Sequence, residues 1–113
     1  MSAKNPLLEA VPYPIEQALK TLGANLRVAR LRRNHSHAAV AERIGVSRRA
    51  VADAERGKAS TGIAVYLALL WAYGLLERVA DVADPAKDEE GLALSLAQVR
   101  SRGGRGGDMS NDF

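Results

Sequence analysis

Apolar residues return at helical intervals along most of the chain, and glycine or polar residues divide them into separate helices. Ile15, Leu19, Leu22 and Leu26 share one face of a predicted helix from about Ile15 to Arg33, with arginines around the rest of its circumference. Val40, Ala41 and Ile44 repeat the spacing over a shorter stretch ending at Gly45, which supplies the left-handed position a tight turn needs. Val46 and Ser47 read as a hydrophobic residue and an N-cap, and Val51 stands where it can close on Val46 as a hydrophobic staple. A further helix therefore begins at about Arg48. Along it Arg49, Ala52, Asp53 and Arg56 form a polar stripe opposite Ala50, Val51 and Ala54, and small Ala52 lets that stripe approach a surface closely.

Ser60 or Thr61 can cap a fourth helix, whose run from Ile63 to Tyr73 is apolar around its whole circumference. A helix of this kind must be covered on more than one side. One face suits the domain core. The other is assigned to a second copy of the chain or a different protein through Leu70 and through Tyr66, Trp71 and Tyr73, the last three being aromatic types favoured at interface centres; ordinary core is the alternative. A fifth helix from Leu75 to about Ala83 extends the same surface with Leu76 and Val79. Leu92 to Leu96 alternates like a short strand, while Leu92, Leu96 and Val99 fit a helix, and the pattern leaves both open. With no strand-and-turn pattern elsewhere, the expected fold is all-α. Residues 1–14, with Pro6, Pro12 and Pro14, read as a flexible arm, 15–83 as the folded domain, 84–99 as an acidic and apolar extension, and 100–113 as a disordered, basic, glycine-rich tail.

Charge changes the picture along the chain. Residues 20–60 carry ten lysines and arginines against three acids, a charge of +7, although the whole chain carries only +3. Residues 61–99 reverse the sign, with two basic residues against six acidic ones. The first region suits a polyanion and the second does not. Arg48 and Arg49 stand in the first turn of their helix, where the macrodipole disfavours them by a few tenths of a kcal/mol each, so something negative is expected to compensate them. This short helix, hinged at Gly45 to the one before it, is how a protein presents side chains to the DNA major groove.

Other classes find little support. At 113 residues, 47% of them hydrophobic, the chain can build one small helical core. The absence of cysteine excludes disulfides and thiol catalysis and fits a reducing cytoplasm. Two histidines make no convincing metal set, no nucleophile and base pair is apparent, and Gly62 and Gly74 form no phosphate loop, so neither an enzyme nor a cofactor is expected. Residues 1–14 lack the apolar core of a signal sequence, and the run from Ile63 to Tyr73 is too short to span a membrane. The two Arg-Gly-Gly copies in the tail, without interleaved aromatics, are weak grounds for RNA binding; an accessory contact to DNA suits them better.

Ser36-His37, Val40-Ala41, Ile44-Gly45-Val46-Ser47, Val51 and Glu55-Arg56-Gly57 stand at the spacing of the phage-repressor, or Xre, helix-turn-helix family, which the chain resembles over about residues 20–75. The resemblance implies a five-helix, lambda-repressor-like domain that binds double-stranded operator DNA as a homodimer. It implies that Arg48, Arg49 and Asp53 face base edges, and that Ser36, His37 and the loop at Lys58 hold phosphates. Ser47, Ala52 and Arg56 complete the expected DNA surface, and Arg30 and Glu55 match a buried ion pair. His37 departs from the family, which usually has glutamine there to clamp a phosphate. Histidine can also donate, with a grip that varies with pH, or can be a merely exposed side chain. His35 replaces a usually apolar residue and is expected to be partly buried. A shorter match runs from Leu69 to Asp88, ending Ala83-Asp84-Pro85-Ala86-Lys87-Asp88, and resembles the tail of HipB-like antitoxins. Such proteins repress their own operon and bind a HipA-like serine/threonine kinase toxin. A free-standing regulator of the same family is the alternative, and physically Asp84-Pro85 is simply an N-cap and first helical residue.

Overall fold

A computed structural model describes residues 5–102, among which every regular element is helical. The chain divides into two units, one ending at Glu77 and the other beginning at Arg78.

In the first unit, α1 (Pro6–Glu9) is a single turn capped by Asn5, whose Oδ1 accepts from the Leu7 amide at 3.1 Å. The segment expected to be a flexible arm is therefore partly helical, because Asn5-Pro6 supplies both a cap and a proline suited to a first turn. Residues 1–4 of that arm lie outside the described residues. The long helix α2 (Tyr13–Arg32) starts two residues before the expected position, since Pro14 also fits a first turn. Its inward face is Gly23, Leu26, Ala29 and Arg30, with Leu19 and Leu22 half-buried beside it. Ile15 is exposed, because the first turns of α2 run beyond the core.

The next two helices are short and individually well capped. In α3 (His37–Ile44) the Ser36 Oγ accepts from the Ala39 amide at 3.0 Å. At its other end the amides of Gly45 and Val46 both return to the Ala41 carbonyl, with Gly45 at φ 81°. A β-carbon is strained in that left-handed conformation, so glycine sets the turn. In α4 (Arg48–Glu55) the Ser47 Oγ accepts from the Ala50 amide at 3.1 Å. Val51 is fully buried and Val46 packs against the same core, in keeping with the expected staple.

Helix α5 (Ile63–Ala72) begins after Gly62 without any side-chain cap, so neither Ser60 nor Thr61 takes the expected role. Tyr66 compensates for part of this loose entry by donating its hydroxyl to the Lys58 carbonyl at 3.1 Å. Tyr66, Leu69 and Tyr73 point inward and complete a core with Leu26, Ala29, Val40, Ala41, Val51 and Ala54. Two of the aromatics assigned to an interface, Tyr66 and Tyr73, are therefore core: they face the same way as Leu69, the best-buried residue of the helix. Arg33 fastens this end of the helix, donating from Nη1 to the Ala29 carbonyl and from Nη2 to the Tyr73 carbonyl, both at 2.9 Å, with its guanidinium 5.5 Å from the Tyr73 ring centre.

Two glycines set how closely α2 and α4 cross. A β-carbon on Gly23 would stand 2.6 Å from each of the Ala54 and Glu55 carbonyl oxygens, and one on Gly57 (φ 69°) would stand 2.5 Å from the Leu19 carbonyl oxygen. Backbone thus meets backbone on both sides of the crossing. Among the described residues no helix is long and apolar enough to cross a membrane.

The expected fifth helix is instead a 3-10 segment, Leu76–Asp81. Ala83 at φ 60° and the Asp84-Pro85 pair stop it from lengthening into an α-helix. In the second unit Asp84 caps the 3-10 turn Pro85–Lys87. Asp88 then opens α6 (Glu89–Arg102) by accepting from the Gly91 amide at 3.0 Å. Glu89 and Glu90 in the first turn and Arg100 and Arg102 in the last complement its dipole. These end effects select helix for residues 92–99, which the apolar pattern had left open. Helix also replaces the expected disorder over 100–102, while residues 103–113 of that tail lie outside the described residues. No residue of α6 is buried.

The crossing of α2 over α4 leaves no space for a side chain. Gly23→Ala is expected to lower stability by about 1–3 kcal/mol, the usual cost of overpacking, read as a fall in thermal midpoint by circular dichroism. An unchanged midpoint would mean that the helices can part without cost.

Candidate nucleic-acid interface

The capped starts of α3 and α4 converge on one open groove of about 470 Å³, lined by Ser36, His37, Ala38, Arg48, Arg49 and Ala52. Each helix start directs unpaired amides and the positive end of its dipole outward, an arrangement suited to phosphate. Arg48 and Arg49 are exposed, and among the described residues neither has an acidic partner. The negative charge they need is not supplied by their surroundings. Ala52, half-buried between them and the helix body, keeps the wall of the groove low.

The remaining expected contacts separate from this groove. Asp53 is mostly buried and paired with Arg56 and with the Lys58 Nζ, the latter at 3.7 Å. Its carboxylate is engaged by its own cations and does not line the groove, contrary to its expected place at base edges. Arg56 and Lys58 line a second, smaller groove with Glu16, Lys20 and Gly57. Ser47 and Ser36 use their hydroxyls as caps, so their contribution to an anion comes through backbone amides.

Behind the first groove stands the expected ion pair, with an additional member. Glu55 accepts from Arg30 Nε at 2.7 Å through Oε2 and from Arg30 Nη2 at 3.1 Å through Oε1, and its side chain is only 5% exposed. Arg30 Nη1 donates to the carbonyl of partly buried His35 at 2.8 Å. His37 Nε2 lies 2.9 Å from the same Glu55 Oε1. Eighteen residues separate His37 from Glu55, and no local pattern in the sequence signals their contact. Arg33 likewise gives no sequence signal of its grip on Tyr73.

Burial pushes the Glu55 carboxyl up, but the hydrogen bonds from Arg30 and His37 outweigh it and hold the group below its ordinary range. The bond to Glu55 also raises the Arg30 guanidinium against the opposing effect of burial. Desolvation raises the Tyr66 and Tyr73 hydroxyls, and the Tyr73 oxygen is buried without a hydrogen-bond partner among the described residues.

Two outcomes follow for the Glu55 cluster. Arg30→Met leaves a buried carboxylate without its main donor and is expected to cost about 3–5 kcal/mol in urea unfolding near neutral pH. The folded carboxyl titrates below its ordinary value of 4.5, so its contribution is complete above that value and disappears as pH falls through the lower folded value. Wild type should therefore lose stability more steeply than Glu55→Gln as the pH is lowered below about 4.5. Parallel acid profiles for the two proteins would contradict this.

Comparison with known proteins agrees with the geometry. The family model described as a helix-turn-helix domain matches residues 21–83, more than half of the chain, which takes in most of α2, all of α3, the Gly45 turn, α4 and α5. No curated protein and no solved structure matched the chain. The match supports the Xre-like resemblance, and with two capped helices opening on one groove edged by arginines that have no acidic partner among the described residues, the chain belongs to the helix-turn-helix domain family of DNA-binding regulators.

Proposed function

We propose that the protein is a sequence-specific transcriptional repressor acting in the cytoplasm, which reads double-stranded operator DNA with α4 as a homodimer. The observation that carries this reading is the Arg48–Arg49 edge of α4, which is exposed, without an acidic partner among the described residues, and set beside two outward-facing helix starts. Arg49, with Arg48 beside it, takes guanine edges, where a bidentate guanidinium contact discriminates best. The starts of α3 and α4 take phosphate through their amides, and Arg56 and Lys58 take flanking phosphates. Reading a palindrome requires two copies of α4 about one DNA turn, roughly 34 Å, apart. The outer side of α5 supports such pairing. Ile63 and Trp71 are exposed, Leu70 is half-buried, and the side chains of the helix are apolar apart from the Tyr66 hydroxyl and the Trp71 indole N–H. Leu76 and Val79 extend the proposed apolar surface in sequence.

A second, narrower reading makes this repressor the antitoxin of an operon that it autoregulates, with a HipA-like serine/threonine kinase as partner. It draws on the resemblance of Leu69 to Asp88 and on α6, where Leu92, Leu96 and Val99 share one exposed face. A surface of that kind suits a protein partner better than water. Purification of the tagged chain from its host with a stoichiometric HipA-like kinase, identified by mass spectrometry, is the expected result for the antitoxin. Recovery of the dimer with DNA alone favours the free-standing regulator.

Arg49→Ala is expected to weaken binding to DNA from upstream of the protein's own gene by about 1–3 kcal/mol, measured by fluorescence anisotropy against a scrambled duplex. Equal affinity of wild type for the two duplexes would overturn the sequence-specific reading. Trp71→Glu is expected to leave the helical spectrum intact and convert dimer to monomer in analytical ultracentrifugation. A folded variant with unchanged mass would show that pairing, if any, uses another surface.

A further inference from the structure

His37 touches the Glu55 cluster with one ring nitrogen and is also one of the residues that line the groove at the starts of α3 and α4. Glu55 is ionised at neutral pH, since its bonds to Arg30 and His37 hold it below the ordinary carboxylate range, and an ionised carboxylate can only accept. The contact at 2.9 Å therefore requires His37 Nε2 to be the donor. In the neutral imidazole one nitrogen donates and the other accepts, so Nδ1 of neutral His37 carries a lone pair. A lone pair meets a phosphate oxygen with repulsion. Only the imidazolium has an N–H left for the groove.

We propose that DNA binding by this protein is coupled to uptake of a proton from solvent at His37 Nδ1, with Nε2 held on Glu55 throughout, so that the imidazolium bridges the buried carboxylate and a DNA phosphate. The proposal rests on the DNA-binding reading above and adds the regulation of that site by pH. The charged groups around His37 set the sense of the coupling. Glu55, from α4, favours the imidazolium. Arg30, from α2, neutralises much of that carboxylate, and Arg48 and Arg49, across the groove on α4, oppose a further cation. The outward dipole at the start of α3 opposes it as well. Tyr73, at the C-cap of α5, lies near the Arg30–Glu55 pair with its hydroxyl raised by burial, so it stays neutral through this range. A phosphate brought into the groove adds negative charge beside Arg48, Arg49 and His37 together and shifts the balance towards the protonated ring. Glutamine at this position behaves differently, because its amide has two N–H groups and can serve the carboxylate and a phosphate at any pH.

The test uses the full chain and a fluorescein-labelled duplex from upstream of the protein's own gene, the same DNA on which the sequence-specific reading is tested. Affinities are measured at fixed salt from pH 6 to 8, the interval in which imidazole side chains titrate. Wild type is expected to lose affinity as pH rises, by up to about tenfold per pH unit for each linked proton. His37→Gln is expected to give a nearly flat profile and to bind more tightly than wild type at pH 8. Calorimetric titration of wild type in phosphate and in Tris at pH 7.5 provides a second readout independent of the variant. The heat is expected to be less exothermic in Tris, whose deprotonation absorbs far more heat than that of phosphate, as uptake of a proton from the buffer requires. A wild-type profile as flat as that of His37→Gln, or equal heats in the two buffers, would overturn the linkage while leaving the DNA-binding reading intact. Failure of both proteins to bind the duplex at any pH would remove both.

Discussion

The buried carboxylate of Glu55 is the constraint around which the first unit is arranged. A negative charge at the C-terminal end of a helix is opposed by the dipole, and one withdrawn from water is opposed again by desolvation. Both penalties are met from outside α4, by two bonds from Arg30 on α2 and one from His37 at the start of α3. Three helices are thereby tied at one point, and the directions of α3 and α4 are set relative to α2. The groove between their starts depends on that setting.

Helix α4 carries its charges against its dipole at both ends, with arginines first and a glutamate last. The two ends have different remedies. The acidic end is compensated within the protein by Arg30, in a geometry with nearly every oxygen lone pair engaged. The basic end has no such partner among the described residues and faces open groove. An element whose unfavourable charges are satisfied on the inside and left open on the outside is suited to meeting an external anion. Asp53 gives the same contrast on a smaller scale, since it holds Arg56 and Lys58 and leaves Arg48 and Arg49 alone.

A core of nine buried apolar side chains among the described residues, three of them alanine, leaves little margin, and close backbone contact takes the place of bulk. Gly23 and Gly57 let α2 and the end of α4 meet carbonyl to α-carbon, which brings Arg30 within reach of Glu55. Arg33 makes a second fastening at the far end of α2, holding the Tyr73 carbonyl and covering its ring. The second unit is built on other terms. Its helix α6 has a good cap and well-placed end charges but buries nothing, so its stability comes from local effects and any use of its leucines requires another surface.

The sequence by itself determined what depends on neighbours along the chain. Ser36 and Ser47 as caps, Gly45 as a left-handed turn, the short helices they bound, Asp84-Pro85 as a helical start, and the +7 charge of residues 20–60 are all legible because each is decided within a few residues or by simple addition. The Arg30–Glu55 pair was reached by resemblance, from the spacing of the whole motif. Tertiary structure decided the rest. Helix α5 is apolar all round, so its pattern cannot say that Tyr66 and Tyr73 turn inward while Trp71 turns out. The contact of His37 with Glu55, the withdrawal of Asp53 from the groove, and the close passage of Gly23 over the carbonyls of α4 join residues distant in sequence or side chains with several possible partners. Helical periodicity records which residues can share a face, but the identity of what lies opposite that face is set only when the helices pack.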